Sequence, residues 1–206
     1  VADIGRDPND VPPPITRTSP TEVKINVLVK EVISEVFPGI YFNYWTFNGT
    51  VPGPMYRVRE GDTVILSITN DPSSLHHHNI DLHAVTGQGG GASLTDVMPG
   101  ETKTIKWKAM NQGLFIYHCA MPNVSTHNSH GQYGLILVEP KEGLPKVDKE
   151  FYIVQGELYT ISQTGKKGLT VFDSDALIAG HPNYVTFNGR VESTPRMHAK
   201  VGDKIR

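Results

Sequence analysis

Residues 55–70 read MYRVREGDTVILSITN. From Val64 onward every second residue is apolar, and the glycine-centred turn REGD (59–62) separates this run from the shorter alternation before it. Period-two alternation broken by turn residues is the signature of half-buried strands. The same pattern extends outward: EVKINVLVKEV (22–32) and YFNYWTFNG (41–49) precede it, and ETKTIKWKAM (101–110), GLFIYHC (113–119) and YGLILVEP (133–140) follow. The turns between them are NGTVPGP (48–54), MPGE (98–101) and NQG (111–113), rich in the residues that permit tight reversals. Residues 98–119 are expected to form two strands joined at a glycine turn, with room for a brief helical bend over 106–113. Long amphipathic helices are absent, and the best helical segment is the short DSDALIAG (173–180). The pattern predicts an all-β fold, most simply a Greek-key sandwich of two sheets.

The 206-residue chain has a formal charge of −2, which gives no basis for binding nucleic acid or an anionic membrane surface. No apolar run approaches the roughly 18 residues of a membrane span. Residues 1–20, with five prolines and no periodicity, are expected to form an extended arm outside the core. The chain also repeats itself. TFNG occurs at 46–49 and 186–189, VREGDTVI (58–65) has a counterpart in AKVGDKI (199–205), and VKINVLV (23–29) has one in KEFYIVQ (149–155). Ordered matches at nearly one spacing indicate an internal repeat. A second copy of the first domain is expected to begin near Lys146, without equivalents of residues 66–140. Two or three strands leave apolar faces and edges bare, so another chain segment is expected to complete that copy.

Cys119 is the single cysteine, in YHCAMPNVSTHNSHGQYG (117–134). A lone cysteine forms no intrachain disulfide and is ordinarily a small buried hydrophobe. Here it has histidine company. Two clusters hold all but two of the nine histidines: His76, His77, His78 and His83 in LHHHNIDLH, and His118, His127 and His130 in the cysteine stretch. His181 and His198 stand alone and take no role. Neighbours on a strand point to opposite faces, so His118 and Cys119 diverge, as do His78 and His83, five residues apart. Pairing the two segments gives one face with a histidine and a cysteine and another with two histidines. With His127 the first becomes Cys-His-His, the ligand set of a blue-copper centre. The second is two imidazoles with an open position, suited to a catalytic metal if a third ligand arrives from elsewhere. Structural zinc more often gathers paired cysteines, and a Cys-His nucleophilic dyad is disfavoured because adjacent strand residues diverge. TGQGGGA (86–92) lacks the GKS/T ending and the following helix of a phosphate cradle, so its glycines are expected to let backbone pass close to the metal region.

HNIDLHAVTGQGGGA (78–92), GLFIYHCA (113–120) and YGLILVEPKEGLPKVDKEFYIVQGELYT (133–160) resemble the copper-containing nitrite reductases, most strongly the outer-membrane-anchored type of pathogenic Neisseria. The resemblance covers about residues 20–206. It implies a cupredoxin sandwich over 21–145 and the opening strands of a second cupredoxin domain over 146–206. It implies reduction of nitrite to nitric oxide with one electron and two protons, in a homotrimer or an assembly that completes the second domain. An electron donor such as a cupredoxin or cytochrome c, and a periplasmic or outer-membrane-anchored location, follow by the same resemblance. His78, Cys119 and His127 resemble the type 1 copper ligands, His83 and His118 two of the three type 2 ligands, and Asp81 the aspartate that bonds nitrite and relays a proton. The third type 2 histidine and a second catalytic histidine come from a neighbouring subunit in that family and have no counterpart here. Gln132 stands where the family has an axial methionine; an oxygen donor there favours Cu(II) and a lower reduction potential. Met121 lies at a spacing the family does not use, and His130 is a candidate competitor for metal. The alternative is a cupredoxin that keeps the type 1 centre for electron transfer and has no catalysis. Asp81, His83 and His118 together favour the enzyme, since a carrier has no use for them.

Overall fold

The computed structural model describes residues 2–206. Eleven strands, two short helices and one 3₁₀ segment follow in order: β1 (Glu22–Phe37), β2 (Ile40–Phe47), β3 (Tyr56–Arg59), β4 (Thr63–Asn70), β5 (Asp81–Leu82), the 3₁₀ segment Gln88–Leu94, β6 (Thr102–Lys108), β7 (Gly113–His118), α1 (Val124–Ser129), β8 (Tyr133–Glu139), β9 (Gln155–Leu158), β10 (Gly168–Thr170), α2 (Ser174–Ala179) and β11 (Tyr184–Phe187). One sheet runs β10-β2-β1-β4-β6, a second β3-β8-β7-β5, and β11 pairs with β9. The all-β sandwich is as the alternation predicted.

Strand β1 shows how pattern becomes packing. Ile25, Val27 and Val29 are buried and their neighbours Lys24, Asn26, Leu28 and Lys30 are exposed, so one edge of the pleat enters the core. They pack with Val64, Leu66 and Ile68 of β4 and with Tyr117, Ile136 and Val138 from the other sheet. Beyond Val29 the buried positions change phase to Ser34 and Val36, and Val36 joins a second core with Ile40, Phe42, Tyr44, Val51, Leu158 and Tyr184. The partner changes as well: β1 pairs with β4 through Val29 and with β2 from Val29 to Phe37. Glu31 lies at this changeover.

Two readings are corrected by the structure, and one element was missed. Strands β6 and β7 do not form a hairpin, because their connection crosses from one sheet to the other. The arm is extended but contributes to the core: Ile4 is fully enclosed in the second cluster, and Arg17 pairs with the buried Asp62 carboxylate. Helix α1 was not foreseen, whereas α2 lies within DSDALIAG, started by Asp173, whose carboxylate accepts from the Asp175 and Ala176 amides.

The repeated motifs share local geometry. Asn48 and Asn188 both adopt left-handed φ (57° and 51°), followed by Gly49 and Gly189 at 77° and 75°. Asn48 Oδ1 accepts from the Leu28 amide at 2.6 Å and Asn188 Oδ1 from the Val154 amide at 2.8 Å. The two Gly-Asp turns also match: the Arg59 amide donates to Asp62 Oδ2, and the Lys200 amide to Asp203 Oδ2, each at 2.7 Å.

Candidate metal centres

The end of β7 splits two groups of side chains. His118 is its last residue; Cys119 follows it, fully buried. The Cys119 amide donates to the Gln132 carbonyl at 3.1 Å, closing a loop that contains α1 and brings His127 back over the thiol. His78 arrives from a separate segment, held by paired backbone hydrogen bonds with Val97. His127 Nδ1 lies 3.3 Å from Cys119 Sγ. Gln132 Oε1 lies 2.9 Å from His78 Nδ1 and 3.1 Å from His127 Nδ1. The ligand atoms of His78, Cys119 and His127 all fall within 4.8 Å of one another. All four residues expected in the type 1 set therefore converge.

The chemistry of this pocket fits a metal cation. Burial depresses His127 to a pKa of about 4, outweighing the Gln132 hydrogen bond, so its imidazole is neutral at ordinary pH. Burial pushes the Cys119 thiol up to about 11 in the metal-free protein, against backbone hydrogen bonds from Asn79 and Met121 that favour the thiolate. A bound cation reverses that balance and stabilises the thiolate. The Gln132 amide nitrogen is buried without a partner, while its oxygen points at the two imidazoles. Two imidazole nitrogens, a sulfur and an amide oxygen in an enclosed pocket suit copper better than calcium or magnesium.

Several neighbours were not foreseen. The Asn79 amide approaches Cys119 Sγ at 3.5 Å and its side-chain oxygen accepts from the Ala120 amide at 2.7 Å. Trp45 meets His78 and His127 edge-on and stacks on His130, with centroids 4.0 Å apart and planes at 12°. Glu31 contacts His78 Nε2 at 3.1 Å. His130 does not compete for the site: its Nδ1 bonds the Thr126 carbonyl at 2.6 Å and its ring lies among Trp45, Phe42 and Phe172. Met121 packs against the first core. No spacing rule marks Asn79, Trp45 or Glu31, because each reaches the site from a different strand or loop.

The second group is more open. Register pairs Asp81 of β5 with His118 of β7, and the His83 amide donates to the Ile116 carbonyl at 3.0 Å. His83 Nε2 lies 3.1 Å from His118 Nε2, and Asp81 Oδ2 is 3.9 Å from the same His118 nitrogen. His118 Nδ1 donates to the Cys119 carbonyl at 2.9 Å, leaving Nε2 free to bind a metal. The glycines of 86–92 do pass close: Gly90 sits at φ 52°, and a Cβ there would collide with Asp81 Oδ1 and lie 2.6 Å from the Leu82 carbonyl oxygen.

A two-sheet cupredoxin-like sandwich with adjoining Cys-His-His and His-His-Asp groups defines a copper-protein class. The chain belongs to the multicopper oxidase family, whose match spans residues 35–143. Within that class it is similar to the copper-containing nitrite reductase of Neisseria gonorrhoeae, 52% identical over 200 residues, 96% of this chain and 51% of that protein. Among solved structures it is similar to a copper nitrite reductase from Nitrosomonas europaea, with a TM-score of 0.71 at 34% identity, covering 82% of this chain and 57% of that one. A copper-containing nitrite reductase from Thermus scotoductus gives 0.68 at 32% identity, covering 82% and 38%. The chain thus spans about half the length of the curated relatives it matches.

Proposed function

We propose that this chain forms the type 1 copper pocket and part of the type 2 site of a dissimilatory copper nitrite reductase that converts nitrite to nitric oxide. The observation that carries this is the adjacency of Cys119 and His118: one dipeptide serves the buried group and the open group at once. Copper bound at His78, Cys119, His127 and Gln132, and at His83 and His118, would supply one-electron exchange at each site. The chain's own residues do the rest. Enclosure of the Cys119 group excludes water, so a one-electron centre there is shielded from side reactions. Reduction of nitrite consumes one electron and two protons and releases one oxygen as water. Asp81, beside the open His83–His118 pair, is placed to hydrogen-bond a bound oxyanion and to pass one proton to the departing oxygen. The second proton and a third type 2 ligand are assigned to a neighbouring subunit.

In this reading residues 21–145 form the first cupredoxin domain and 146–206 the opening of a second, within a homotrimer or equivalent assembly outside the cytoplasm, periplasmic or outer-membrane-anchored. Electrons come from a small cupredoxin or cytochrome c. The test is copper stoichiometry with the visible spectrum. Two coppers per chain and a thiolate-to-copper band, lost in Cys119→Ser, support the enzyme; one copper supports a simple carrier; none overturns both.

A further inference from the structure

We infer that Glu31 is the positioning residue that presents His78 to the buried centre, holding its Nε2–H against the carboxylate and its Nδ1 toward Cys119, and so sets the metal affinity and reduction potential there. The inference rests on the proposed copper-binding role of that pocket. Glu31 comes from β1, where the strand exchanges partners, and its side chain is only 6% exposed. Its Oε1 faces four nitrogens: His78 Nε2 at 3.1 Å, His76 Nδ1 at 3.0 Å, and the Leu75 and His76 amides at 3.1 Å each. The Leu75 and His76 amides can only donate, so Glu31 Oε1 accepts from both. A ring nitrogen that faces this accepting oxygen is placed to donate to it.

That fixes the tautomer. A neutral His78 has one ring proton, and the contact with Glu31 places it on Nε2, leaving the Nδ1 lone pair toward Gln132 Oε1 at 2.9 Å. Without the carboxylate the competing tautomer is favoured, since an Nδ1–H would donate to Gln132 Oε1 and leave no lone pair for a metal. Glu31 therefore disfavours the best-bonded metal-free arrangement and prepares the metal-binding one. A carboxylate behind a ligating imidazole also makes the ligand more basic, which favours the higher oxidation state. Losing such a partner typically costs about 10- to 100-fold in metal affinity.

The test compares the whole protein with Glu31→Gln and His76→Ala. The glutamine keeps an oxygen for the two backbone amides but removes the charge. Expected for Glu31→Gln are Cu(II) affinity lowered by about 10-fold or more and a raised reduction potential. His76→Ala, which leaves the His78 contact in place, should stay close to the parent in both. In the metal-free parent, nitrogen NMR of His78 should show protonation at Nε2 alone. Protonation at Nδ1, unchanged affinity and potential in a folded Glu31→Gln, or equal shifts in both variants would each overturn the inference. If Glu31→Gln does not fold, the NMR of the parent decides. Failure of the parent to bind copper at Cys119 would instead refute the underlying function, while the tautomer measurement would still report on Glu31.

Discussion

Gln132 is fully buried, with its amide oxygen on the His78 and His127 imidazoles and its amide nitrogen without a partner. An unpartnered buried amide nitrogen costs on the order of 1–3 kcal/mol, a cost offset if the oxygen has a cation to serve. Gln132→Met replaces a hard oxygen with a soft thioether and also removes that unpartnered group. The variant is expected to bind copper with a higher reduction potential, read by redox titration; an equal or lower potential would show that Gln132 does not act on the metal. Cys119, His78 and His127 could be picked out from residue types alone, and Gln132 through the family resemblance. Glu31 and Trp45 could not, because a glutamate and a tryptophan in alternating strands look like ordinary surface and core positions.

Strand alternation was legible because most strands bury one edge of the pleat, as β1 and β4 do. Helix α1 was hidden: VSTHNS is one turn and a half with no apolar stripe, preceded by Asn123, whose side chain makes no cap bond. The 3₁₀ segment was hidden for another reason, since Gly89, Gly90 and Gly91 all have positive φ and leave no periodic trace. That segment carries a prediction. In Gly90→Ala the new methyl meets Asp81 and the Leu82 backbone in a conformation that alanine rarely adopts. Nitrite turnover should fall by at least tenfold (about 1.4 kcal/mol of barrier) while the thiolate-to-copper band persists. Turnover near the parent's would remove Asp81 from the active role given to it.

For the molecule as a whole, buried imidazoles make acid the weak direction. His127 and His130 are each depressed to about 4, chiefly by burial, so the native state resists protons that the unfolded chain accepts near the usual value of about 6.5. Their stabilising effect is complete above that value and is lost as pH falls toward 4. Glu31 adds loss below about 4.5, its ordinary value, down to about 2. Metal-free protein should show a steady drop in unfolding free energy between pH 6.5 and 4 in denaturant titrations, and His130→Asn should flatten it; a flat parent profile would contradict the burial argument. Native mass spectrometry is expected to show assemblies larger than one chain, because Val185 and Phe187 of β11 are about half exposed on a common face. A well-folded lone 22.7 kDa species would count against that expectation.

The repeat was legible because its turns need asparagine and glycine at left-handed positions, which few other residues tolerate. How residues 146–206 meet the rest was not, since it depends on contacts such as the ion pair of Arg57 with Glu150, far apart in sequence. The adjacency of His118 and Cys119 has one more consequence. Consecutive Cα atoms across a trans peptide are about 3.8 Å apart, so the gap between the two pockets is set by covalent bonds. Grafting new loops around either pocket can retune its chemistry, yet the gauge between them stays the same.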